Sequence, residues 1–371
     1  MFKNLLNKGE KKIEKLEKNV SGDKKQQHGH NHHGQSSSGH KAGAGAAAGA
    51  GAGVGGAGAA YQHHHHSSGA AVSGGSQPSV TQVDVAGLPV NVYGLNNLTP
   101  GSGTNAPDVC ISIHMHGRTG SAKNEDGLAR ELYQNTMDAR QSIRGRTRDF
   151  LLVTFDSRDH GQRKTNPEAQ KSWKEGNKTH AVDMYGMIRG TADDTSFIAQ
   201  MLPAYLFPND ERRVSLISVT GKSLGGHSVW QVLAHDPLIR VGVPFIGCPD
   251  FQKLIAVRAR NSGLEDVPPA VPGSLRALMQ RVDPAEQPYR EAGPRNPFYG
   301  KKICACLGAD DHLVRVSYAQ EFLEHLTVAP PGSDEARQSL QVYIQPNTGH
   351  KVTSEMLRLG GQWLAQWALP Y

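Results

Sequence analysis

The residues with the clearest chemical potential are Gly221-x-Ser223-x-Gly225-Gly226. A serine with glycines two residues to either side suits a nucleophile held on a sharp turn. Such a turn strains the serine backbone, and a bulky flank would collide with it. A free serine hydroxyl is a weak nucleophile. It needs a base within hydrogen-bond reach, and the base needs a carboxylate to orient it. Beyond Asp311 the histidines are His312, His325 and His350. His312 adjoins a candidate acid and is badly placed to bridge it to a serine. His325 falls inside an expected helix. His350 follows Gly349 just past an expected strand, where it can reach across a sheet edge, so it is the expected base. Asp310 and Asp311 both follow one strand and Asp250 ends another, which leaves three candidate acids. A tetrahedral intermediate also needs N–H donors for its oxyanion. Leu224, directly after the serine, offers one. The second is expected at Arg118, beside His116 and Gly117 in the loop after an earlier strand.

Rival chemistries fit less well. Gly221-Lys222-Ser223 suggests a phosphate loop, but that motif needs a glycine at 216, where the chain has Leu216. His114-x-His116 suggests a metal, but Arg118 and Thr119 stand where a metal-hydrolase motif needs an aspartate and a histidine. No metal site is expected. Cys304-Ala305-Cys306 has the wrong spacing for a zinc pair or a redox motif. Lys222 would favour an anionic acyl substrate if it faced the site; the preferred reading is that it points to solvent. His227, one helical turn past the serine, is expected to pack or cap.

These residues need elements to position them. The β-branched run 212–220 reads as a buried strand, and 228–234 as a helix ending at His235-Asp236-Pro237. Strand, turn and helix are the context a nucleophile elbow requires. Residues 80–85 and 88–93 read as a hairpin. Further strands are expected at 109–114, 150–155, 241–246, 302–307 and 340–344. Helices are expected at 125–137, 181–202 (closed by Pro203 and Pro208), 317–326 and 353–368. Seven prolines between 267 and 298 exclude regular sheet there. Alternating strands and helices imply a mainly parallel central sheet with helices on both faces. Its carboxyl edge would collect His116, Asp156, Ser223, Asp250, Asp311 and His350.

With these motifs in place, the chain resembles the α/β-hydrolase superfamily over about 80–371. The likeness rests on His116-Gly117, Asp156-x-Arg158-x-His160-Gly161, the elbow, Gly308-x-x-Asp311-x-x-Val314 and Gly349-His350, in the order Ser, Asp, His. Gly225-Gly226-His227 with Trp230, and Ile246-Gly247-Cys248-Pro249-Asp250, are similar to fungal members. The resemblance implies an α/β-hydrolase domain over 79–371 with a small cap-like insertion at about 251–299. It implies Asp311 as the acid, no cofactor, and cleavage of an ester-like small molecule, a carboxylic ester or thioester, through an acyl-enzyme. The family also holds peptidases and members that bind without catalysis, which are the alternative readings.

Composition sets the outer bounds. The chain has 371 residues and a net charge of +6. Residues 1–78 are rich in Gly, Ala, Ser, His and Lys, too poor in apolar bulk to offset ordering entropy, and read as a disordered low-complexity tail. They hold nine Lys, no Arg and four acids, so +5 of the charge is theirs. The remaining +1 on the domain excludes a nucleic-acid footprint there. Residues 2–20 form a basic amphipathic pattern suited to weak membrane-surface contact. His28–His40 and His63–His66 suit only unspecific metal chelation, and 42–60 reads as a flexible linker. The four cysteines lie in apolar runs and read as reduced thiols. The charged N-terminal stretch does not read as a secretory leader, so a cytoplasmic protein is expected. Nothing in the pattern sets the oligomeric state.

Overall fold

The structure, a computed structural model, describes residues 77–371. The basic stretch 2–20, the histidine clusters and the Gly/Ala tract lie outside the described residues. Eight strands follow in chain order: β1 (Val80–Val85), β2 (Leu88–Tyr93), β3 (Val109–Met115), β4 (Asp149–Phe155), β5 (Val214–Lys222), β6 (Ile239–Phe245), β7 (Lys302–Gly308) and β8 (Leu340–Gln345). They form one sheet in the order β1-β2-β4-β3-β5-β6-β7-β8. β2 runs antiparallel to β1 and β4, and every other pairing is parallel. β3 and β4 are buried at every position. That is why they read as unbroken apolar runs rather than alternating ones.

Helices cover both faces, as the alternation implied: α1 (Asp126–Arg140), α2 (His180–Leu206), α3 (Leu224–His235), α4 (Phe251–Asn261), α5 (Gly273–Val282), α6 (Val316–His325), α7 (Asp334–Ser339) and α8 (Ser354–Ala368). The pleat of β6 separates the two layers. Val243 and Phe245 meet Gly360 of α8, while Gly242, on the opposite face of the strand, meets Leu233 of α3. On the α8 side the core joins Leu132 and Tyr133 of α1 to Trp363 and Leu364. On the α3 side Trp230, Phe298 and Phe322 stack edge to face. Lys301 is buried at the end of α3, where its ammonium donates to the carbonyls of Leu233 (2.6 Å) and Asp236 (2.8 Å). It satisfies two helix-end acceptors, and burial pushes its pKa down to about 8.

Several elements differ from expectation. α2 continues through Pro203 to Leu206. The proline deprives the Ala199 carbonyl of its helical donor, but only in the last turn, and Phe207 N–H closes that turn on Pro203 O at 3.0 Å. The buried face of Ile198, Ala199 and Leu202 carries the helix past the proline. α3 begins at Leu224, immediately after the elbow, rather than at 228. α4, α5 and α7 were not anticipated, although Ser333 caps α7 by accepting from Ala336 N–H at 3.0 Å. Segment 251–299 contains α4 and α5 and no strand. Its prolines flank α5 rather than interrupt it. The segment lies along α2 and α3, with Phe251 against Tyr185 and Asp283 bonded to Gln231 at 3.1 Å. Among the described residues no helix is long and apolar enough to cross a membrane.

Candidate active site

β5 ends at Lys222 and α3 starts at Leu224, leaving Ser223 alone in the turn at φ 55°, ψ −109°. This left-handed backbone is one that side-chain-bearing residues avoid. Neighbouring strands over-determine it. Ser223 N–H donates to Phe245 O at 2.9 Å, and Gly225 N–H donates to His116 O at 3.1 Å. The glycines are required by contact. A Cβ on Gly221 would lie 2.5 Å from Gly225 O, and one on Gly225 would lie 2.1 Å from Met115 O.

The loops after β7 and β8 bring the partners. Asp310 N–H donates to Thr348 O at 2.9 Å, which ties the two loops together. A Cβ on Gly308 would lie 2.5 Å from that same carbonyl. Across this contact Asp311 Oδ2 lies 2.7 Å from His350 Nδ1, and His350 Nε2 lies 2.7 Å from Ser223 Oγ. An ionised carboxylate only accepts, so Nδ1 carries a proton and Nε2 is free to accept from the serine. Asp311 Oδ1 is held by the N–H groups of Leu313 and Val314, each at 2.9 Å. The Asp311 side chain is 1% exposed and that of His350 is 21%. The other two candidate acids are elsewhere. Asp310 is exposed, and Asp250 caps α4 by accepting from Lys253 N–H at 2.8 Å.

Gly117 lies against the serine: a Cβ on it would be 3.5 Å from Ser223 Cβ. Among the described residues, neither Leu224 N–H nor Arg118 N–H donates to a protein acceptor. Both remain available, and helix N-termini favour negative charge. His116 pins this loop in place. Its Nδ1 donates to Gly117 O at 2.8 Å, and its Nε2 accepts from Ser157 N–H at 3.0 Å. Burial lowers its pKa from 6.5 to about 4, so it is neutral and suited to that pair of bonds. Asp156 braces the same region by accepting from Ala122 N–H and Gln162 N–H, both at 2.8 Å. His114 bonds Thr220 at 2.8 Å. Among the described residues no group of three metal-ligating side chains occurs. His227 packs as anticipated, its Nδ1 2.8 Å from Cys248 N.

Sequence reading missed two features. Lys222 does not point to solvent: it pairs with Glu125, a carboxylate only 2% exposed. Burial alone would raise the Glu125 pKa, but His114 and Lys222 outweigh it and hold it at about 2. The partners are 97 residues apart (222 − 125), and no local signal joins them. Arg258 was also passed over. It sits on α4, with its Nη1 2.8 Å from Met184 Sδ of α2.

The site region holds several histidines that must stay uncharged. Burial lowers His116 and His180 to about 4 and His227 to about 3, all from 6.5. Between those values and 6.5 the unfolded chain binds more protons than the folded one, so stability falls as pH drops through that window. The melting temperature is therefore expected to decline steadily from about pH 7 to about pH 4. A flat profile by circular dichroism would mean that these rings reach water.

No family model matches the sequence, and no curated protein matches it significantly. Among solved structures, the chain is similar to TT1662 from Thermus thermophilus, with a TM-score of 0.55 and 20% identity over 79% of this chain and 98% of that one. It is also similar to the Pyrococcus furiosus esterase Pf2001, with a TM-score of 0.45 and 16% identity over 78% of this chain and 93% of that one. A prolyl endopeptidase gives a TM-score of 0.48 and 15% identity over 78% of this chain and 38% of that one. At these identities the likeness is one of fold.

Proposed function

We propose that this chain, whose architecture is the α/β-hydrolase fold, is a serine hydrolase that cleaves a carboxylic ester or thioester through an acyl-enzyme. The supporting observation is the hydrogen-bonded line from Asp311 through His350 to Ser223 Oγ, with 2.7 Å at each step. In this reading His350 Nε2 takes the Ser223 proton as Oγ attacks the acyl carbon. Asp311 holds the imidazole tautomer and stabilises the imidazolium that forms. The N–H groups of Leu224 and Arg118 receive the developing oxyanion. His350 then protonates the leaving group, and a water activated by the same imidazole releases the acid. The steps need only these side chains and water. A cytoplasmic location is part of the proposal, supported by four free and buried cysteines.

An alkyl fluorophosphonate probe is expected to label the wild type at Ser223 and to leave Ser223→Ala unlabelled. Failure to label well-folded wild type, or equal labelling of both proteins, would remove the proposal.

A further inference from the structure

Among the described residues, two guanidiniums beside this site lack the carboxylate partners that cations withdrawn from water normally have. Arg118 follows Gly117, the residue in contact with Ser223. Its Nη1 donates to Gln170 O at 2.8 Å, its one hydrogen bond among the described residues. Among the described residues Arg258 reaches only Met184 Sδ, at 2.8 Å, and a thioether is a weak acceptor. Among the described residues no carboxylate pairs with either arginine. Asp311 holds His350 and two main-chain N–H groups. Glu175 accepts from Ser172 N–H at 2.8 Å and from its hydroxyl at 2.6 Å. Lys222 belongs to Glu125.

A short run of contacts joins the two arginines: Arg118 donates to Gln170 O, His180 Nδ1 bonds the next carbonyl, Lys171 O, at 2.9 Å, and Met184, one turn along α2 from His180, takes Arg258. Burial first, and then Arg118, hold Arg258 down to about 10. Burial also lowers Arg118, and the Glu175 charge offsets part of that. His180, pushed to about 4 by burial and then by both arginines, is neutral and offers no compensation. Like charges with unspent donors, half out of water, are unfavourable by themselves. A guanidinium fork matches a carboxylate. Resting on the hydrolase reading above, we propose that Arg118 and Arg258 form an anion subsite and that the substrate carries a free carboxylate near its scissile acyl bond, as a dicarboxylic acid hemiester does.

The probe pair is p-nitrophenyl hemiadipate and the neutral p-nitrophenyl hexanoate, matched in acyl length. Wild-type kcat/KM is expected to favour the anionic ester by about ten- to a hundredfold, and the preference should shrink as ionic strength rises. Arg258→Met is expected to bring the ratio close to one, while Arg258→Lys retains much of it. Thermal melts establish that each variant is folded. Should Arg258→Met not fold, Arg118→Met, which keeps its main-chain N–H, is expected to lose the ratio in the same way. Hydrolysis of the hexanoate with no anionic preference, or a preference that survives both methionine variants, overturns the subsite and leaves the hydrolase reading standing. No turnover of either ester, together with no fluorophosphonate labelling, overturns both.

Discussion

In His350→Ala, ester turnover is expected to fall by about five to six orders of magnitude, and adding Ser223→Ala should cost almost nothing more. The reason is that the two groups act as one device. Ser223 Oγ lies 2.7 Å from His350 Nε2, its one hydrogen-bond partner among the described residues. Without the imidazole the hydroxyl is an ordinary alcohol, and without the hydroxyl the imidazole has no proton to take. Asp311→Asn should be milder, about four orders of magnitude in kcat. Its amide can still be seated by Leu313 and Val314 but favours the wrong imidazole tautomer. Steady-state kinetics on a p-nitrophenyl ester, for both single variants and the double variant, provide the check. Losses that simply add would show that Ser223 and His350 do not work together.

Gly225→Ala is expected to remove the fold rather than merely the activity. The added Cβ would lie 2.1 Å from Met115 O and 2.5 Å from Met115 C. Both belong to main chain in the middle of the sheet, which has no rotamer to change. Overpacking against side chains typically costs about 1–3 kcal/mol. Against fixed backbone the cost should exceed about 4 kcal/mol, a large share of the stability of a domain this size. Gly186→Ala is the counterweight. It sits mid-helix on α2, and an added Cβ meets nothing within 4 Å. It should stabilise by about 0.5–1 kcal/mol through helix propensity. Urea denaturation of the two variants measures the contrast. A Gly225→Ala protein with near-wild-type stability would mean that β3 and the elbow yield far more easily than their packing implies.

Much of the architecture was legible because the code for it is local. β3, β4 and β7 are buried on both faces, so they appear as continuous apolar runs that need no partner to be recognised. The elbow was legible because steric contact writes itself into composition: only glycine fits at 221 and 225. What stayed hidden was long-range. Asp310 and Asp311 look alike on paper. They differ because the turn that follows aims the Leu313 and Val314 N–H groups at one carboxylate and leaves the other in water. Lys222 looked solvated because its partner, Glu125, arrives from the start of α1. Pro203 suggested a helix end, but the energy of the buried stripe beside it is a tertiary quantity, and it prevailed in the last turn, where little remained to be lost.

The backbone of Ser223 has one further consequence. A glycine there would relax the turn without disturbing its neighbours, so the proposed seat of the reaction is also where the protein is least comfortable merely existing. Durability and reactivity pull that position in opposite directions. A descendant released from the need to react would have a downhill route out of its chemistry, one substitution away, and would be harder to melt for having taken it.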